Sequence, residues 1–280
     1  MALQLWLGNS GSGKSYQVYQ EVIGKARQNR DINYLVIVPE QFTLQTQRDL
    51  VSLHPDHGIL NIDVLSFARL SYRVFEEVGF SNAPGLLIDD MGKNLILRHL
   101  AAELSDKLQV IGNNLKHLGY ITEVKSVISE FMQYGVDEQA LTEMIRVSRN
   151  NNRRLLAGKL EDVLTVYQAF RSYIAQKYTT SEELLIRVSS ILASSAKLGN
   201  SVIVLDGFTG FTPVQYDLIG ALLKKCRDVY VTVLFDTKQP ADIPYNEEEL
   251  FFLSRETIKE LKHIARDCKV PVLPDRIIRD

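Results

Sequence analysis

Cysteine is nearly absent from the chain: Cys226 and Cys268 are the only two in 280 residues, with no CxxC spacing between them. That excludes a disulfide framework and a complete thiolate metal site. The five histidines are scattered and add no metal cluster. An excess of one charge is also missing, since 32 Lys plus Arg face 34 Asp plus Glu for a net charge of -2. No global attraction to nucleic acid or to an anionic membrane follows, so any such contact must be local. No apolar run approaches the roughly 20 residues that cross a bilayer. The opening Met1-Ala2-Leu3-Gln4-Leu5-Trp6-Leu7 lacks both a positive n-region and a cleavage site. These absences predict a cytoplasmic chain with no membrane partner. Internal repeats and low-complexity tracts are missing too. What is there suffices for a core: 45% of residues are hydrophobic, and at about 150 residues per domain the length allows one large or two modest domains.

The pattern begins with strands alternating with helices. Leu3 to Leu7 is a short apolar run, Gly8 to Gly13 a glycine-serine loop, and Tyr16 to Arg27 carries helical spacing in Val18, Val22, Ile23 and Ala26. Leu35 to Val38 is a second apolar run, rich in β-branched residues and stopped by Pro39, with helix from Thr43. Ile62 to Leu65 leads through Ser66 into the helical pattern Phe67 to Val78. Strands that are apolar throughout predict a parallel sheet covered on both faces. From about Pro84 to Leu198 the spacing is almost wholly helical, with helices expected at Met91 to Leu104, Tyr120 to Tyr134, Glu138 to Val147, Leu155 to Lys177 and Glu182 to Ser194. Strands return at Ser201 to Leu205 and Val229 to Leu234, flanking a helix from Val214 to Lys225. The expectation is an α/β domain of residues 1–83 with 199–280, carrying an inserted all-helical subdomain at 84–198. A charged helix, Glu247 to Arg266, and a strand around Val270 to Leu273 close the reading.

One motif stands out. Gly8-Asn9-Ser10-Gly11-Ser12-Gly13-Lys14-Ser15 satisfies GxxxxGK[ST], with a strand before it and a helix after it. With glycine near 7% of residues, the fixed positions would match by chance in on the order of 1% of chains this long. The chemistry explains the residue types. Glycines let successive N–H groups turn inward onto phosphate oxygens, and the positive end of the following helix adds to the field. Lys14 supplies a charge for the β- and γ-phosphates, and the Ser15 hydroxyl completes the shell of Mg²⁺. ATP and Mg²⁺ are therefore the expected cofactors. A GxGxxG dinucleotide reading is weaker, because the next strand ends in Pro39 rather than in an acidic ribose ligand.

A phosphate loop needs a carboxylate at the end of a neighbouring strand, and Asp206 ends the run Val202 to Leu205. It is the expected partner of the metal's water shell; the alternative is an ordinary Asp-Gly turn. Hydrolytic motors place a Glu directly after that aspartate to act on the attacking water. Here the position is Gly207, so weak or absent hydrolysis is expected. Gln215, on the first turn of the next helix, is a candidate to position a water, against the plainer reading of an exposed helix residue.

Three further segments carry a resemblance: Val36-Ile37-Val38-Pro39-Glu40-Gln41, Val64 to Leu70, and Leu205-Asp206-Gly207-Phe208-Thr209-Gly210-Phe211-Thr212-Pro213. In this order with the phosphate loop and the helical insert, over essentially the whole chain, the sequence resembles the N-terminal part of the AddB (RexB-like) subunits of AddAB helicase–nucleases. The resemblance implies a P-loop, RecA-like, superfamily 1 helicase-like lobe within an ATP-dependent complex that resects double-strand breaks. It implies a B subunit that has lost motor activity and is associated with reading Chi on single-stranded DNA, with the A subunit as translocating partner in a heterodimer. Gly207 fits that loss. The family's nuclease domain with its iron–sulfur cluster is not expected here, since two cysteines cannot form it, and the chain reads as a fragment that also lacks the second helicase lobe.

By the same resemblance Glu40, Gln41, Ser66 and Phe67 fall at segments that touch single-stranded DNA. Phe67 would stack on a base and Ser66 bond a phosphate; the competing reading of Phe67 is a core residue. Arg146, Arg149, Arg153, Arg154 and Lys159 form the one dense basic cluster, a candidate for duplex or single-strand phosphates against a solvated surface. The pairs Phe208/Phe211 and Phe251/Phe252 are expected to pack. A small-molecule P-loop kinase and a non-catalytic ATP-binding scaffold are the competing functions, and the helical insert offers the kinase no arginine-rich lid.

Overall fold

The computed structural model describes residues 1–79, 85–175, 177–236 and 246–279. The chain divides into two compact units, Met1–Asn82 with Leu185–Asp280, and Ala83–Leu184. The expected insert boundary at 83/84 lies outside the described residues. The return to the first unit comes at Leu185 rather than after 198, inside a helix.

The first unit opens with β1 (Leu3–Gly8), α1 (Lys14–Gln28), β2 (Asn33–Ile37), α2 (Thr43–Leu53), β3 (Ile62–Leu65) and α3 (Phe67–Val78). The second unit holds β4 (Leu86–Leu87), α4 (Asp90–Glu103), α5 (Leu118–Gln133), α6 (Glu138–Asn150), α7 (Arg154–Ile174) and β5 (Tyr178–Thr179). Then follow α8 (Ser181–Ile191), which straddles the division, and α9 (Ala196–Gly199), β6 (Ser201–Leu205), α10 (Pro213–Lys225), β7 (Asp228–Leu234), α11 (Phe252–Asp267) and β8 (Arg276–Ile278).

The large sheet has the order β3-β2-β6-β7-β1-β8, and every neighbouring pair is parallel. The apolar strands explain this. All six residues of β1 and all five of β6 are buried, which requires cover on both faces and is met by crossover helices. On one face α1 sets Val18, Val22 and Ile23 against Trp6, Val36 and Val204. Each such side chain contributes roughly 1.5–3 kcal/mol when fully buried. Because all strands run one way, the loops after β1, β2, β6 and β7 emerge at one edge of the sheet, where ligands of open α/β sheets bind.

Two expectations at the chain's far end are corrected. The charged helix starts at Phe252, not Glu247, because residues 246–251 form turns in which Glu249 N–H donates to Asn246 O and Phe252 N–H to Glu249 O. The last strand is Arg276–Ile278 rather than the segment around Val270 to Leu273. Pro271 lies within that segment and Pro274 follows it, each lacking a ladder donor, which leaves one bridge from Val272 to Leu3.

Among its described residues the second unit is mostly helical and carries one two-residue parallel pair, β4 and β5, too short to show a period in sequence. Asp89 and Asp137 cap α4 and α6 by accepting from Gly92 N–H and Ala140 N–H. Its core includes Leu97, Leu100, Ile128, Leu141, Phe170 and Ile174. Buried Asp162 on α7 accepts from the N–H groups of Gln109, Val110 and Ile111, which ties an irregular segment to the helix. Among the described residues no helix is long and apolar enough to cross a membrane.

Candidate nucleotide site

At its end β1 delivers Gly8 into a loop that turns back on itself before α1. Gly11 and Gly13 have φ of 80° and 82°, left-handed values that favour glycine. A Cβ at Gly8 would lie 2.5 Å from Ser12 Oγ and 2.8 Å from Ile278 O, so this position admits no side chain without displacing backbone. Within the loop the Lys14 ammonium donates to Asn9 O at 2.6 Å and the Ser12 hydroxyl to the same carbonyl at 2.9 Å. Gly13 is the N-cap of α1, no side chain caps the helix there, and its first turn carries no acidic residue. The positive helix end therefore faces the loop with no acidic residue in its own first turn.

Asp206 follows β6, and the register of β6, β7 and β1 brings it beside that loop. Ser15 Oγ donates to Asp206 Oδ1 at 3.0 Å across 191 residues of sequence. Two more hydroxyls converge on the carboxylate: Tyr19 donates to Oδ2 at 2.5 Å and Thr232, on β7, to Oδ1 at 2.5 Å. Asp206 is 4% exposed, and a carboxylate so buried requires such donors. Burial, followed by the Asp206 charge, pushes the Tyr19 phenol far above its ordinary pKa, so it remains a donor at any working pH.

Sequence reasoning missed Tyr19 and Thr232. Faint signals existed: Tyr19 stands four residues after Ser15, on the same helix face, and Thr232 interrupts an apolar strand. The donor chemistry fits a polyphosphate with a hard cation. Loop N–H groups and Lys14 suit phosphate oxygens. A Ser15 hydroxyl that gives its proton to Asp206 keeps its lone pairs for a cation that prefers oxygen ligands.

Gln215 does not serve that site. Its side-chain oxygen accepts from Thr212 N–H at 3.0 Å while its own N–H donates to Thr212 Oγ1 at 3.4 Å, a capping box that holds the start of α10. The water-positioning expectation is thereby replaced by a structural role. Gly207 has φ of 77°, a conformation that disfavours any side chain, and its position lies next to Pro39.

The segments expected to meet DNA divide into two kinds. Glu40 and Gln41 are exposed on a 3₁₀ turn, and Glu40 pairs with Arg69 at 3.4 Å. Ser66 and Phe67, in contrast, are buried. Ser66 caps α3 by accepting from Arg69 N–H, and the Phe67 ring packs on Phe208 and Phe211 with centroids 5.3 and 6.4 Å away. This corrects the expectation of a base-stacking Phe67: the ring is part of an aromatic cluster. In the helical unit the basic cluster is also heterogeneous. Arg146 makes a two-pronged pair with Glu143 and Arg149 pairs with Glu161 at 2.5 Å, whereas Arg153 and Arg154 are exposed at the start of α7.

A family model described as ADDB, N-terminal, matches residues 5–279. Among curated relatives, the B subunit of the ATP-dependent helicase/deoxyribonuclease of Lachnoclostridium phytofermentans is 41% identical over 278 residues, covering 99% of this chain and 24% of its own length. Proteins of the same description from Ruminiclostridium cellulolyticum and Clostridium tetani are 32% and 30% identical over 280 and 279 residues, covering 98% and 96% of this chain and 23% and 24% of their own lengths. The chain thus spans about a quarter of the length of the curated relatives it matches. With a match that runs from the first strand to the last, the chain belongs to the ADDB N-terminal family.

Proposed function

We propose that the sheet-bearing unit is a helicase-like ATP-binding module from the B subunit of a helicase/deoxyribonuclease, and that it binds the nucleotide without turning it over at a useful rate. The observation that carries this is the 3.0 Å contact between Ser15 Oγ and Asp206 Oδ1. It joins the GxxxxGK[ST] loop to a strand-end carboxylate, the two halves that a magnesium nucleotide requires. In this reading the loop N–H groups and Lys14 hold the phosphates, while Ser15, and Asp206 through water, hold Mg²⁺. Magnesium neutralises phosphate charge and orients the chain of oxygens. Hydrolysis is withheld because Gly207 occupies the place of the water-activating Glu and Gln215 is committed to its cap.

The test is titration with Mg-ATP. Lys14→Ala should weaken binding by about 10- to 150-fold, the equivalent of the roughly 1.5–3 kcal/mol of a charge-assisted bond, while the unsubstituted chain shows no DNA-stimulated release of phosphate. Equal affinities for the two proteins would refute nucleotide binding at this loop.

The relatives' description supports a place in a DNA-processing complex with an A subunit, and single- and double-stranded DNA are the proposed polymers. Exposed Arg153 and Arg154 are the best placed cations of the basic cluster for backbone phosphates. If they bind DNA, neutralising both should reduce the slope of log affinity against log salt by about two; an unchanged slope assigns them to the solvated surface.

A further inference from the structure

The hydroxyl cage around Asp206 contains a residue that neither the phosphate-loop motif nor the strand-end carboxylate predicts. Tyr19 is itself buried, at 4% exposed, and its phenol is the one donor to Asp206 Oδ2 among the described residues, whereas Ser15 and Thr232 both address Oδ1. Each oxygen of the carboxylate is therefore held from a different side, which fixes its rotation. All three of these donors to Asp206 are neutral hydroxyls, so they orient the carboxylate without occupying it with a cationic side chain, and its oxygens are already aimed when a cation arrives. The helix spacing matters as well. Ser15 and Tyr19 lie four apart on α1, so the helix that presents the hydroxyl for the cation also clamps the carboxylate that completes the cation's shell.

We infer that Tyr19 is a positioning residue for divalent-cation binding, one that makes this site select the magnesium complex of the nucleotide over the free nucleotide. The inference rests on the nucleotide reading above and adds to it a cation preference set by a phenol. A purely structural Tyr19 would affect both forms of the nucleotide alike. A phenol that aims Asp206 affects only the form whose metal shell Asp206 touches, because phosphate oxygens are met by Lys14 and the loop amides, whereas the phenol is directed at the carboxylate.

The experiment measures the affinity of the 280-residue chain for ATP with excess Mg²⁺ and for ATP in EDTA, in the parent chain and in Tyr19→Phe, which keeps the ring and removes the hydroxyl. The expected result is a loss of about fivefold to tenfold in the magnesium arm, a matching rise in the Mg²⁺ concentration needed for half-maximal binding, and an unchanged EDTA arm, the scale expected for one hydrogen bond. Thr232→Val, which removes a donor from Oδ1, is expected to shift the magnesium arm in the same direction and serves in place of Tyr19→Phe if that protein does not fold. Equal losses in both arms, or no loss in either, overturn the role of Tyr19 while leaving nucleotide binding intact. A parent chain that binds neither form overturns the nucleotide reading and this inference with it, and Lys14→Ala, which should weaken both arms, separates the two failures.

Discussion

Lys93→Met is expected to destabilise the helical unit by about 3–5 kcal/mol, the cost of leaving a buried charge without its partner. Lys93 and Glu182 have side chains only 3% and 6% exposed. The ammonium donates to both carboxylate oxygens, at 3.0 and 3.1 Å, and to Ser129 Oγ at 3.2 Å. Burial alone would raise the Glu182 pKa, but the Lys93 charge and the hydrogen bonds outweigh it and hold the carboxyl below its ordinary value. In the parent chain the folded pKa is therefore below the unfolded one. The stability it contributes is present above the unfolded value and lost as pH falls through the folded value. Without Lys93 the sign reverses: burial now dominates, the folded pKa rises above the unfolded one, and the variant should regain stability as pH falls from about 7 toward about 5. Urea unfolding of both proteins at the two pH values checks this: the variant should gain stability between them, whereas the Glu182 contribution in the parent, whose carboxyl titrates below its ordinary value, should stay in place. Lys93→Met/Glu182→Leu should recover most of the loss, because a well-packed apolar pair replaces a buried ion pair at little cost. A single variant within about 1 kcal/mol of the parent would mean that water reaches the pair.

Gly8→Ala should abolish measurable Mg-ATP binding, a loss of more than about 100-fold on the scale set by displaced loop amides. One added carbon suffices because its neighbours include the backbone oxygen of Ile278 at 2.8 Å as well as Ser12 Oγ at 2.5 Å. A side chain can swing away, but a carbonyl on the adjacent strand cannot. Overpacking of this kind costs about 1–3 kcal/mol, and loop amides turned off target forfeit charge-assisted bonds of roughly 1.5–3 kcal/mol each. Gly24→Ala is the matched control: the same atom on α1 meets nothing within 4 Å, and helix propensity favours alanine by about 1 kcal/mol. Thermal unfolding and nucleotide titration of both variants separate a loop-specific defect from a general one. Gly8→Ala with parental affinity would show that the loop accommodates the phosphates in another conformation.

Much of the sheet-bearing unit is legible from residue order because its signals are local. Uninterrupted apolar strands, a glycine loop and a following helix specify β1, the loop and α1 with little help from elsewhere. Asp206 is legible for a similar reason: an acidic residue that closes an apolar strand stands out. What escapes is whatever depends on a partner distant in sequence or on exact bond geometry. Gln215 is different: Thr212-Pro213-Val214-Gln215 fits the capping-box pattern in the sequence itself, a local signal passed over in favour of a water-positioning role, and the reciprocal bonds with Thr212 show the cap formed. Phe67 reads as available to a base, yet Phe208 and Phe211, far along the chain, close over it. The helices after Leu184 show spacing that identifies an apolar face but not the unit that face packs into, so the helical pattern runs on to 198 while the compact unit ends at Leu184.

Residue order alone determined the parallel α/β class, the helical insert and the phosphate-loop motif, because backbone propensity, apolar period and glycine freedom act over a few residues. Only the tertiary structure decided that Ser15, Tyr19 and Thr232 converge on Asp206. That convergence depends on β7 lying between β6 and β1 in the sheet, and strand order follows from how crossover helices cover both faces, which no local pattern encodes.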